Sequence, residues 1–390
     1  MSNYKRDKNK QFLDKKRLLI ISFCLVACIA LIAVAFVTVL KIDIQSLWAN
    51  IAVAFKRNPS LVTTLFIALS LFFILRAWGN VYAYTLRLRN EGIKVSFKDQ
   101  CVCGFTVCFL AAVTPANFIT DPYVIFWLKT HGLKTYKASA QVLVTDFIWH
   151  ISQMLITWPS FVLLLSEHYY DIVSDTAGRL IFWLIIIGIV IDVVIVVALF
   201  TICFWTKLHM MMSLLFNKIK KVLRLHYHTR EEVRQKYLND AVLRSEVIRL
   251  LRAWKLVIAS SLVFLIPLLF SFVFMFVAIL VIWDKDSALT YHPWQIIDAT
   301  IVTLTANKFM PIPGAELSTE KTLQLLLERG GGISGNNVDE KYVSNIVTNG
   351  ILIWRISIQY LPAIIGISIF GAMIGGNIKK IIKHEKIFRD

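Results

Sequence analysis

Thr114-Pro115-Ala116-Asn117-Phe118-Ile119-Thr120-Asp121-Pro122 and Met310-Pro311-Ile312-Pro313-Gly314-Ala315-Glu316 interrupt two hydrophobic segments with proline and carboxylate at what reads as membrane depth. Each is followed by a long apolar segment that carries a charge. Lipid cannot hydrogen-bond the backbone groups such breaks release, so broken helices persist there only where protein or a polar cavity surrounds them. Paired breaks in the two halves of a chain point to a transporter-like binding site.

Outward from the breaks, composition sets the class. The chain has 390 residues, is 57% hydrophobic and 17% charged, and has a mean hydropathy of +0.64. These values describe an all-α, multi-pass membrane protein and leave no room for a soluble domain of ordinary size. Residues 18–40 are 23 uncharged apolar positions, about 34 Å as a helix and enough to cross a core of about 30 Å. The apolar region of a cleaved signal peptide is about 7 to 15 residues long, so this segment is read as an uncleaved first helix.

The formal net charge of +17 is concentrated between apolar segments: seven basic residues in 5–17, four in 87–98, three in 129–137, twelve in 207–255 and five in 379–389. That distribution follows the positive-inside rule and suits an anionic inner leaflet, not nucleic acid. With those clusters inside, 18–40 runs outward, 61–84 returns, 139–165 runs out to an acidic loop at 167–175, 180–205 returns, 256–283 runs out and 345–374 comes back. Segments 100–129 and 298–328 then start and end on the same side, from opposite faces. The expectation is six full spans plus two opposed re-entrant hairpins in an inverted repeat. Ordinary kinked helix pairs would instead give eight or more spans. The domain reading is a basic cytoplasmic tail at 1–17, one polytopic domain at 18–374 with a basic amphipathic loop at 206–255, and a basic tail at 375–390.

The tips carry helix-start signals. Thr120 or Asp121 can cap a helix whose first position is Pro122, and Ser318 or Thr319 can do so ahead of Glu320. Two helix N-termini would then sit near mid-membrane, where their positive ends suit an anionic group; Asp121 and Glu320 can equally be caps. Ionisable residues inside spans are costly unless paired or wetted, and Arg76, Asp146, His150, Asp192, Lys308 and Arg355 are such residues. Asp146 and His150, four apart, share a helix face. Similar estimated depths suggest that Arg355 and Asp146 pair or flank one cavity. Arg76 reads as a snorkelling side chain, and Asp192 as a carboxyl bonded to a neighbouring helix.

Other features carry less. The run Arg329-Gly330-Gly331-Gly332-Ile333-Ser334-Gly335-Asn336-Asn337 lacks the Gly-Lys-Ser/Thr ending of a phosphate loop and reads as a flexible outer loop. Cys24, Cys28, Cys101, Cys103, Cys108 and Cys203 show no zinc-ligand spacing and read as free thiols. Segment 209–251 alternates apolar and basic residues like interfacial helices. No metal or cofactor motif and no catalytic triad is present.

Some of these residues also carry a family resemblance. Thr114-Pro115, Asp121-Pro122, Leu128-Lys129 and His131-Gly132-Leu133, with Ala138 and Leu143, resemble the first signature of the lysylphosphatidylglycerol synthetase membrane-domain, or flippase-like, family. Pro311-Ile312-Pro313-Gly314 with Glu320, then Leu352-Ile353-Trp354-Arg355 with Tyr360, Leu361, Pro362 and Gly366, resemble its second. The likeness covers roughly residues 60–375. It implies a membrane lipid translocase or related protein; the best-known members are fused to a soluble domain that moves lysine from tRNA to phosphatidylglycerol. Departures are Ile119-Thr120-Asp121 where many members have Gly-Gly-Gln, and Ala315-Glu316-Leu317 where they carry more glycine. The position of Asp146 is often basic in relatives. The sequence runs 16 residues beyond Ile374, too few for an aminoacyl-transferase domain, so the expectation is a non-enzyme.

The leading functional expectation is therefore a cell-membrane protein, both termini cytoplasmic, that binds and moves a phospholipid or glycolipid between leaflets. Its candidate residues are Pro115, Asp121, Pro122, Asp146, His150, Pro311, Pro313, Gly314, Glu320, Arg355 and Tyr360. Alternatives are the membrane component of a phosphatidylglycerol lysyltransferase, working in lipid modification and cationic-peptide resistance with a separate transferase subunit, and a non-transporting scaffold for lipid or protein. No cofactor and no nucleic-acid partner are expected.

Overall fold

A computed structural model describes residues 59–114, 119–204, 230–282, 289–306, 318–330, 332–335 and 340–372, with isolated positions within 52–56 and 211–218. Segment 18–40, Lys308, Pro115, Pro311, Pro313 and Gly314 lie outside the described residues, as do most of 206–229 and both tails. The helices are α1 (Pro59–Asn90), α2 (Phe97–Val113), α3 (Thr120–Thr130), α4 (Thr135–Ile172), α5 (Thr176–Phe204), α6 (Arg230–Arg252), α7 (Trp254–Ile282), α8 (Pro293–Ala306), α9 (Ser318–Arg329) and α10 (Glu340–Arg355). The last continues through a π-helical turn, Ile356–Tyr360, and further helix to Ala372. Four of the described helical segments are long and apolar enough to cross a membrane: Thr135–Ile172, Thr176–Thr201, Trp254–Ile282 and Tyr342–Ala372. The protein is an all-α membrane protein.

The order long, short, short, long occurs twice, as α1 to α4 and as α7 to α10. The short helices have 17, 11, 14 and 12 residues, fewer than the roughly 20 a helix needs to cross hydrocarbon. Ser96 opens α2 as an N-cap, its Oγ accepting from the Asp99 amide at 3.1 Å, and Thr114 closes it where the proline break begins.

Side-chain bonds place the two hairpins at opposite ends of α4. At its start, Lys137 donates to Glu91 at 3.1 Å, and Arg249 reaches the same carboxylate at 2.8 Å. The turn before α2, the start of α4 and the end of α6 thus meet, which joins three of the basic clusters on one face. Near the far end of α4, Arg329 at the close of α9 grips Asp175 with two bonds of 2.7 and 2.8 Å. Within the glycine-rich run expected to be a flexible loop, Ile333–Gly335 forms a strand there. Strand β1 (Leu289–Tyr291) pairs antiparallel with β2 (Ile333–Gly335), Thr290 facing Ser334. The strands lie just before α8 and just after α9, so they fasten the mouth of the second hairpin, and Gly332 adds a carbonyl that accepts from the His292 amide at 3.1 Å.

Packing relies on close backbone approach, as in many membrane bundles. A Cβ at Gly104 would lie 1.7 Å from the Ala77 carbonyl oxygen, so α2 crosses α1 almost backbone to backbone. Gly366 meets Phe105 O in the same way, at 2.2 Å from where a Cβ would be. The largest apolar cluster joins α7, α8, α9 and α10 around Met275, Ile279, Ile296, Leu323, Val347 and Trp354. A smaller one ties Val247 and Leu250 of α6 to Val144 and Ile148 of α4. The end of the basic amphipathic segment therefore docks on the bundle as well as facing outward.

Candidate functional site

Charged side chains gather at both helix breaks. At the second, Glu320 sits on the first turn of α9 and Arg355 on α10, which packs against it. Arg355 Nε donates to Glu320 Oε1 at 2.5 Å, and the two side chains are only 4% and 6% exposed. Arg355 Nη1 also donates to Gln359 Oε1, and its guanidinium lies against the Trp354 ring. Trp354 is itself fixed by its indole N–H on Ser271 O at 2.8 Å. The second oxygen of Glu320, Oε2, is buried and takes no hydrogen bond from the described residues.

This corrects the pairing of Arg355 with Asp146. Depth estimated by counting residues from span ends cannot resolve which helix face a side chain takes, whereas the docking of α9 on α10 delivers a carboxylate straight to Arg355. Arg76 is corrected too: its Nη1 donates to the Ile358 carbonyl inside the π turn. A π turn leaves carbonyls out of the i→i+4 ladder, and a guanidinium from α1 meets one of them. Tyr360 is half-buried at the end of the same turn.

At the first break the helix begins at Thr120, with Ile119 as N-cap and no side-chain cap bond. Pro122 is therefore the third helical residue and not the first. The amides of the first turn have no intrahelical partner in any case, so proline costs no bond there. Asp121 is exposed on this turn and lies within electrostatic range of His150. His150 Nδ1 meets Asp192 Oδ1 at 3.0 Å, joining α4 to α5. Asp192 is 2% exposed and is the bonded carboxyl that its position implied. The shared face of Asp146 and His150 resolves into two neighbouring groups, because Asp146 acts electrostatically on Tyr84 and Arg87 of α1.

Arg87 was not singled out from sequence. It is 2% exposed, and its Nη1 donates to Thr145 Oγ1 at 2.7 Å and to Gln141 O at 3.1 Å. In the sequence it merges with Arg89, Lys94 and Lys98 as a flanking basic cluster. The available signal was its spacing: Tyr84 lies three positions before it, on the buried face of one helix.

The fold and these clusters define a class: an all-α membrane protein in which ionisable groups gather at helix breaks. Within that class, the chain belongs to the lysylphosphatidylglycerol synthase TM-region family, whose model matches residues 19–366. It is 24% identical over 357 residues to "Uncharacterized protein MG306" of Mycoplasma genitalium, covering 90% of this chain and 88% of that one. It is also 26% identical over 391 residues to "Uncharacterized protein MG306 homolog" of Mycoplasma pneumoniae, covering 97% and 94%. No solved structure matches the chain.

Proposed function

We propose that this protein binds the head group of a phospholipid or glycolipid between the two hairpin tips and moves the lipid between leaflets of the cell membrane. The observation that carries this reading is the repetition of a short helix pair whose second helix begins with an acid matched to a basic side chain of the following long helix: Asp121 within electrostatic range of His150, and Glu320 bonded to Arg355. Transporters place substrates at such breaks, near the interface of inverted repeats. The family supports a lipid as the substrate class. In this arrangement the Glu91, Lys137 and Arg249 face is cytoplasmic, both termini lie on that side, and the Asp175, Arg329 and β-ladder face is outside, following the positive-inside rule.

Leaflet-resolved measurement of fluorescent phospholipids in vesicles holding only this protein tests the proposal. The expected result is movement well above that of protein-free vesicles, slowed by D121N with little change in thermal unfolding. If lipid movement matches protein-free vesicles, the translocase reading fails, and the scaffold reading or a lysyltransferase with a separate catalytic subunit takes its place; co-purification of a transferase would select the latter. Membrane-impermeant labelling of a cysteine at position 175 but not at 137 is the expected sidedness.

A further inference from the structure

Helices α6 and α7 meet at Ala253, which belongs to neither: its amide donates to Leu250 O at 3.2 Å and its carbonyl accepts from the Leu256 amide at 2.8 Å. The outer surface changes character at this corner. Before it, α6 exposes Val242, Ser245, Arg249 and Arg252, a single stripe at steps of three and four, while Val247 and Leu250 on its other face dock on α4. After it, α7 exposes Trp254, Ile258, Leu262 and Ile266, one ridge at steps of four, each more than half exposed. Ser260 and Phe264, on the opposite side of α7, are buried, and the Phe264 ring stands edge-on to Trp149 of α4 at 5.8 Å. The basic stripe ends and the apolar ridge begins across Ala253, and the stretch of α7 able to cross a membrane starts at Trp254.

Charge at the corner is one-sided. From Ala241 to Trp283 the only acid is Glu246, which is buried and bonded to Arg249. Arg252 and Lys255 are exposed, and among the described residues no carboxylate pairs with either. Lys255 stands in the first turn of α7, where the macrodipole disfavours a cation, so its own helix does not account for it. Its ammonium lies 5.7 Å from the centre of the Trp254 ring, and indole is a side chain that settles between hydrocarbon and head groups. We propose that the Ala253 corner is a docking surface for an anionic phospholipid of the adjoining leaflet, its head group on Arg252 and Lys255 and an acyl chain along Ile258, Leu262 and Ile266. A zwitterionic lipid carries its own counter-charge, so two uncompensated cations select a head group with net negative charge. A second copy of the chain fits this face less well, because a two-fold contact through the ridge brings the same cations together. The docked lipid is resident and not cargo, and the proposal does not rest on lipid movement.

The test uses the full-length protein, carrying fluorine-labelled tryptophan, in phosphatidylcholine nanodiscs doped with spin-labelled phosphatidylserine or spin-labelled phosphatidylcholine. The Trp254 signal is the one lost in W254F. The phosphatidylserine label is expected to broaden it at on the order of one-tenth the mole fraction that the phosphatidylcholine label needs. R252Q combined with K255Q is expected to bring the two labels level. Raising the salt from about 0.1 to 1 M shortens the Debye length from about 10 to 3 Å and should shrink the preference in the wild type, which decides the question if the double variant does not fold. Equal broadening by the two labels in the wild type, or a preference that survives either treatment, overturns the proposal. A signal that neither lipid reaches also overturns it, in favour of a second copy on the ridge. A signal that phosphoserine in solution shifts as strongly as the lipid overturns it in favour of a site for a free anion.

Discussion

Hairpin one is held by backbone contact, and hairpin two by backbone contact and by charge. In the first, Gly104 lets α2 lie against the Ala77 carbonyl, and Gly366 brings the last helix against Phe105. In the second, Gly188 of α5 likewise lies against the α8 backbone, 2.8 Å from Thr305 O to where a Cβ would be; this hairpin is tied in addition by the buried Glu320 and Arg355 bond, the β ladder and the Arg329 clamp on Asp175. Van der Waals contact between backbones is short-ranged and insensitive to pH. A buried ion pair depends on both partners, since the loss of either strands the other's charge. The same architecture can therefore be broken in two different ways.

The largest effect is expected at Arg355. R355A leaves Glu320 buried without its counter-charge, a cost of roughly 3 to 5 kcal/mol, read as lost folded yield and a lower unfolding midpoint in detergent. R355M combined with E320L should recover most of that stability. R355A combined with D146L should instead behave additively, because the partner on Arg355 is Glu320; strong coupling to Asp146 in that cycle would reverse the assignment.

G104V comes next, and it strikes the first hairpin. Two backbones must separate to admit the side chain, at about 1 to 3 kcal/mol by analogy with overpacked cores. Thermal unfolding should show the loss, and a glycine-to-alanine change at Gly371, which meets nothing within 4 Å among the described residues, should show little. A smaller effect is expected for the polar contact between α4 and α5. Hydrogen bonds between membrane helices contribute about 0.6 kcal/mol on average and up to about 1.7, so H150Q and D192N should leave the fold largely intact while altering activity.

The smallest effect lies on the loop face. Hydrogen bonds from Arg329, and then from the Gly178 amide, hold the Asp175 carboxyl well below the usual carboxylate range. Because the folded value is depressed, the contribution of this clamp is complete above the unfolded value of about 4 and disappears as pH falls through the folded value. The difference in unfolding midpoint between wild type and D175N should stay level from pH 7 to 5 and shrink below about pH 4. A difference that grows on acidification would contradict the clamp.

Much of this scaffold was legible in the sequence because bilayer thickness and backbone hydrogen bonding impose long apolar runs and penalise their interruption. The expected segment at 139–165 is the helix Thr135–Ile172, and that at 256–283 is Trp254–Ile282. Short helices α2 and α3, and α8 and α9, flank the two proline-containing stretches. Partners were less legible. Residue counting placed Arg355 near Asp146 in depth but gave no azimuth, and a positive charge at a helix end concealed Arg87 among anchors. The glycine-rich run was misread because three alternating residues are too few to announce a strand; β2 exists only through its pairing with β1.

The π turn after Arg355 has a geometric consequence for the helix that carries it. Arg355 and Gly366 are eleven positions apart, which on an uninterrupted α-helix places them within about 20° of each other around the axis. They nevertheless touch different hairpins, Arg355 meeting Glu320 of α9 and Gly366 meeting Phe105 of α2. A π turn inserts about one extra residue, rotating everything beyond it by roughly 100°. The last helix thus works as a cranked shaft, with one throw bearing on each hairpin, and a wheel diagram drawn through Ile356–Tyr360 without the offset would assign both contacts to a single side.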